Sequence, residues 1–164
     1  MQIELHLPDS VRERMQARTY DPEMDDVRSI FTDVADFAAQ HGTLRISGFG
    51  ESRWPVDVWL DLSVLLEQLP QALTAIEAGS PFEIDFYEQG SERKVVFAPE
   101  KNGYRATCQS DTKWQPDPAV EYMDRESLAT MLLAVRDEFM RYVGVCCPDL
   151  VQHPWLQAWL KGTP

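Results

Sequence analysis

Glu83 and Asp85, in the stretch PFEIDFYEQGSERKVVF at residues 81–97, are the side chains whose types and spacing come nearest to a catalytic pair. On a β-strand they leave one face about 6.5 to 7 Å apart. That is the lower end of the separation at which an acid and a base flank a water in inverting glycoside hydrolysis. Two features of the stretch oppose that use. Side chains two apart on a strand point in parallel and do not face each other across a cleft. A hairpin turning at Gln89-Gly90-Ser91 also sets Asp85 opposite Lys94, which keeps the carboxyl ionised, whereas a general acid must hold its proton. The pair therefore reads as the solvated face of a strand, available to a partner.

The remaining reactive types are scattered. His6, His41 and His153 have no His or Cys neighbour at a ligand spacing, so neither a metal nor a cofactor is expected. Cys108, Cys146 and Cys147 are odd in number and lack CxxC spacing. They read as reduced, buried thiols, outside any disulfide framework. GFGES, residues 48–52, has two glycines but neither the third glycine nor the basic residue of a phosphate loop, and it is not a GxSxG elbow. A catalytic site would have to assemble from distant residues such as Asp57, Glu83 and His153, as in a small hydrolase or transferase.

Composition narrows the partners. The chain has 164 residues, 44% apolar and 26% charged, which suits one globular domain spanning residues 1–164. Its 27 acids against 15 bases give a net charge of -12, dispersed along the sequence. Such a field repels phosphate backbones and attracts basic proteins. The densest basic stretch, Arg12, Arg14 and Arg18, is broken by Glu13 and followed by acids, so nucleic-acid binding is not expected. MQIELHLPDS is not a secretory leader and no run is apolar enough to span a bilayer, so a cytoplasmic protein without membrane contact is expected.

The elements that must position these residues follow from periodicity. Residues 3–7 alternate as a strand. A helix begins near Asp21-Pro22, buries Val27, Ile30, Phe31, Val34 and Phe37, and stops at Gly42. Residues 43–47 and 56–60 (VDVWL) alternate as strands, the second leaving Asp57 and Trp59 outward, with Asp61 capping the next helix. Leu62, Leu65, Leu66, Leu69, Leu73 and Ile76 keep helical spacing across Pro70, which implies a kinked helix or two short ones. The hairpin 82–97 pairs Phe82 with Phe97 and Ile84 with Val95, and GYRATCQ, residues 103–109, adds a third strand. DTKWQPDPAVEY is a loop carrying Trp114. Asp124 caps a long helix closed by Gly144, and a proline-started turn leads to a terminal helix with Trp155 and Trp159 on one face.

Together these give an α+β domain, with a mainly antiparallel sheet of about five or six strands and helices on one face. The open face would gather Asp57, Trp59, Glu83, Asp85, Tyr87, Arg105 and Trp114, aromatics among charges of the kind found at binding surfaces. The run VDVWLDLSVLLEQLPQAL followed by FEIDFYEQGSERKVVF, residues 56–97, resembles small acidic immunity proteins encoded beside bacterial polymorphic toxins. The resemblance implies a cytoplasmic, non-enzymatic inhibitor that binds a cognate toxin domain, often a basic nuclease, and blocks its active site. It carries over no contact residues. Two other readings stand beside it, the assembled hydrolase or transferase site and an adaptor that self-associates as a homodimer through Trp155 and Trp159.

Overall fold

The structure, a computed structural model, describes residues 1–162. The elements run β1 (Gln2–His6), α1 (Val27–Ala38), β2 (Thr43–Ser47), α2 (Asp61–Ala78), β3 (Phe82–Phe86), β4 (Arg93–Glu100), β5 (Gly103–Ser110), β6 (Val120–Asp124), α3 (Arg125–Cys146), a 3-10 turn (Pro148–Gln152) and α4 (Pro154–Leu160). This is an α+β fold with antiparallel pairing throughout, but its strands form two sheets and not one. β1 pairs with β2, and β3-β4-β5-β6 make a four-stranded meander.

Backbone parity explains the division. The carbonyl of Ile46 points away from β1 and accepts from Trp54 N at 2.8 Å, so the loop after β2 occupies that edge. α3 meets outward amides near both ends of β1: Ile3 N lies 3.2 Å from the Met131 sulfur, and Leu7 N, just past the strand, donates to Glu138 Oε1 at 2.8 Å. With both edges engaged by other groups, the β1-β2 ribbon has no reason to join the larger sheet.

Residues 56–60 are a turn and not the strand their alternation suggests. Asp57 Oδ1 accepts from Leu60 N at 2.8 Å, and Asp61 Oδ2 accepts from Asp57 N at 2.9 Å. Two aspartates four apart thus close the backbone on itself locally, which a strand ladder cannot match in five residues. Leu60 occupies the capping position before α2 and no side chain caps it, so Asp61, the first residue of the helix, is not the cap its position suggested.

The sixth strand is β6, taken from the segment expected to be loop. α1 is capped by Asp26, which is extended and accepts from Arg28 N through its carboxylate, while Asp21 serves a separate turn by accepting from Glu23 N. Asp124 caps α3 through Ser127 N at 2.9 Å as expected, but α3 continues past Gly144 to Cys146, whose carbonyl accepts from Met15 N.

The hairpin register matches the pattern of its side chains, with Phe82 opposite Phe97, Ile84 opposite Val95 and Asp85 opposite Lys94. Phe82 and Phe97 stack with centroids 4.5 Å apart. Their face, with Ile84, Phe86, Val95 and Ala106, is buried in one core that also takes the apolar faces of the helices and of β1 and β2.

Pro70 lies inside α2, which runs unbroken for 18 residues. Proline has no N–H, so the carbonyl of Leu66, four residues earlier, loses its helical partner. Trp159 supplies the replacement, its indole Nε1 donating to Leu66 O at 2.8 Å. The ring is buried edge-on against Phe31 and Phe139, with centroids at 5.1 and 5.9 Å. The tryptophan suggested as a dimer contact is thus the residue that docks α4 onto α2.

Trp159→Phe keeps an aromatic ring but removes the donor, and the stranded carbonyl should cost about 1 to 3 kcal/mol in urea unfolding. Pro70→Ala restores a backbone N–H facing the same carbonyl. The double variant should therefore lose less stability than the two single losses added together. Strict additivity would show that the indole and the proline are not linked through Leu66.

Candidate functional site

The acidic side of the molecule is built where the turn before α2 meets β3. β3 is an edge strand, and the outward amide and carbonyl of Asp85 would be bare without Gln68 of α2. Gln68 accepts from Asp85 N at 2.8 Å and donates to Asp85 O at 3.0 Å, so one side-chain amide stands in for a neighbouring strand. This bond fixes α2 against β3 and brings their exposed side chains onto a common surface.

On that surface, Glu83 and Asp85 share Lys94, whose Nζ lies 3.3 Å from Glu83 Oε1 and 2.9 Å from Asp85 Oδ2. The hydrogen bond to Asp85, followed by that to Glu83, raises the Lys94 pKa. The two acids therefore share one cation and do not face each other across a cleft. Tyr87 is 56% exposed, and its hydroxyl donates to Glu67 Oε1 at 3.3 Å. Desolvation first, then the nearby Glu67 charge, raises its pKa. Trp59 stands 52% exposed on the turn, two residues from Asp57 and from Asp61.

Asp61 is the residue that sequence reasoning placed only as a cap. It is 4% exposed, its Oδ2 holds Asp57 N, and its Oδ1 has no hydrogen-bond partner. Burial pushes its carboxyl up to about 6, with the charges of Asp57 and Glu88 adding to the shift against the bond from Asp57 N. The sequence signal was its place within a run of buried positions, Asp61, Leu62, Val64 and Leu65.

Trp114 does not join this surface. It is partly buried over Arg93, whose guanidinium carbon sits 3.8 Å from the Trp114 ring centroid and 4.9 Å from that of Trp54. Arg93 is 3% exposed and paired to Glu51. It lies in phase with Val95 and Phe97 on the inward face of β4, and that parity was the available sign that its charge needed a buried partner. Gly50, next to Glu51, has φ +85°, and a Cβ there would lie 1.9 Å from Asp117 O, so the GFGE turn and the loop bearing Trp114 pack too closely for a side chain. Gly48 and Gly50 thus serve packing.

The residues proposed for an assembled catalytic site stay apart in their interactions. His153 caps α4, with Nδ1 accepting from Trp155 N at 3.3 Å and its ring against Tyr20 and Trp155; Asp57 holds its turn and Glu83 holds Lys94. Two grooves, of 620 and 1050 Å³, flank Trp159 beside α2, and neither is lined by Asp57, Asp61, Glu83 or Glu88. The three cysteines are buried, and burial raises Cys108 and Cys146 to about 11, far from a reactive thiolate. Among the described residues there is no cluster of three metal-ligating side chains and no helix long and apolar enough to cross a membrane.

Comparison of the chain with protein-family models, with curated proteins and with solved structures gives no match.

The raised Asp61 carboxyl makes stability depend on pH with a definite sign. The folded state holds this proton more tightly than the unfolded chain, where the ordinary value is near 3.8. The favourable contribution is complete below about pH 4 and is lost as pH rises through about 6. Asp61→Asn retains an acceptor for Asp57 N without the charge. It should stabilise the protein at pH 8 by about 2 kcal/mol, and have little effect at pH 4, in urea titrations at the two pH values. A variant equally stabilised, or destabilised, at both would refute the burial of a costly charge.

Proposed function

We propose that this chain is a non-enzymatic binding protein of the toxin-immunity type, whose acidic surface takes a basic protein domain and covers that domain's active site. The observation that carries the reading is the pair of exposed aromatics, Trp59 and Tyr87, set among Asp57, Glu67 and Glu88 on elements clamped together by Gln68. Large exposed aromatics cost hydration without folding benefit, and among like charges they are the composition of an interface anchor.

The dispersed charge of -12 would steer a basic partner to the molecule, and Trp59 and Tyr87 would hold it once desolvated. Catalysis has less support. The carboxyl with the strongly raised pKa and the two grooves are in different places, whereas a hydrolytic site needs a perturbed group at the wall of its pocket. A cytoplasmic location belongs to the same proposal, since an immunity protein meets its toxin inside the producing cell.

The test begins with affinity capture by the tagged protein from its native cells and continues with association kinetics on the basic protein recovered. Trp59→Ala and Tyr87→Ala should each weaken the complex by about 1 to 3 kcal/mol without changing the fold. Glu83→Lys combined with Asp85→Lys should slow association, and more strongly at low salt. Binding that ignores all four substitutions, or an on-rate independent of salt, would sink the assignment of this surface.

A further inference from the structure

The two sheets have four edges, and at three of them a helix or loop of the same chain bonds outward main-chain groups. β1 and Leu7 just past it donate to Met131 and Glu138, β2 accepts from Trp54 N, and β3 is bonded by Gln68. The fourth edge, β6, is different. Cys108 N donates to Ala119 O, and that parity, carried along the register, turns Ala106 to Glu121 and Tyr104 to Met123. The main-chain groups of Val120 and Tyr122 therefore point out of the sheet, and among the described residues no hydrogen bond reaches them. The strand VEYMD has neither the lysine nor the proline that commonly guards an edge, and Tyr122 is 69% exposed, more than Trp59 or Tyr87.

We infer that β6 pairs with β6 of a second copy, antiparallel about a two-fold axis at Tyr122, to make a continuous eight-stranded sheet. The occupant is argued from register and charge. A two-fold axis through Tyr122 sets Tyr122 opposite its counterpart, Val120 opposite Asp124 and Glu121 opposite Met123, so no acid faces an acid although the strand holds two. Tyr122 exchanges both main-chain bonds with its mate, and Asp124 N–H reaches the carbonyl of the facing Val120. Glu121 brings no free charge to the seam, since its carboxylate accepts from Phe49 N and the Met1 amine. The side chains of Val120 and Tyr122 lie on the sheet face opposite the core, where Thr107 and Arg105 are their neighbours across the register. Two tyrosines stacked at the axis would supply the apolar part of the contact. This inference is independent of the reading of Trp59 and Tyr87, which sit on the turn before α2 and after β3.

Sedimentation equilibrium of the full chain, with amide exchange measured at low and high protein concentration, tests it. The expected result is a monomer-dimer equilibrium that tightens between roughly 0.05 and 0.5 M salt, as repulsion between two strongly acidic chains is screened. Exchange at Val120 and Tyr122 should slow as the dimer fills. Tyr122→Pro removes an outward N–H that β5 does not use, and Tyr122→Lys places a charge at the axis. Each should weaken association at least about tenfold with the thermal midpoint of the dilute monomer unchanged. A monomer at about 1 mM and high salt would overturn the inference. So would a dimer that survives both Tyr122 variants or is abolished by Trp155→Ala, or amides at 120 and 122 whose protection does not follow concentration.

Discussion

The carbonyl of Leu66 is the point on which the helical layer depends. Pro70 deprives it of its helical partner, and a buried carbonyl without a donor is costly enough to bend or break α2. The indole of Trp159, 93 residues away in sequence, removes that cost and in doing so fixes α4. With Trp159 in place, Phe31 of α1 and Phe139 of α3 have a common ring to pack on, so three helices are registered against α2 through one side chain. A proline that looks like a break is the reason the terminal helix has an address.

The same demand, that main-chain groups away from water find partners, explains how the sheets are bounded. Gln68 plays for Asp85 the part that Trp159 plays for Leu66, a long-range side chain satisfying backbone left over by local geometry. Glu138 does so for Leu7, and Arg141 for the Leu7 carbonyl at 2.7 Å. Each of these bonds ties a helix to a strand edge, so closing edges and positioning helices are one act. It follows that an edge left out of this scheme, as β6 is, has no helix of the same chain to answer it.

What could be read from the sequence was whatever local alternation and neighbouring pairs determine. The 82–97 hairpin was legible because apolar and charged pairings agreed on one register, and the Asp124 cap because a cap and its helix adjoin. VDVWL misled for the converse reason: five alternating residues look alike in a strand and in a turn, and only the reach of Asp57 and Asp61 back to the main chain distinguishes them. β6 was hidden behind Pro116 and Pro118, which announce a loop up to the residue before the strand. Trp114 was placed with the exposed aromatics because the buried cation beneath it, Arg93, was not recognised as inward-facing. Of the six residues expected on the partner surface, Asp57, Trp59, Glu83, Asp85 and Tyr87 lie on the turn before α2 and on or just after β3, which is where Gln68 joins them.

Asp61 shows that the acids of this turn are not all a solubilising coat, because one of them is structural. A carboxylate that only keeps a protein in solution sits in water, where its charge costs nothing. Asp61 is buried, lacks a partner at Oδ1, and is pressed by the charges of Asp57 and Glu88. The turn accepts that cost because Asp61 holds Asp57 N, and Asp57 in turn holds the backbone that displays Trp59. The residue whose burial costs the fold stability at neutral pH is thus the one that shapes the turn bearing Trp59, so the cost cannot be removed by moving Asp61 to the surface without releasing Asp57 N.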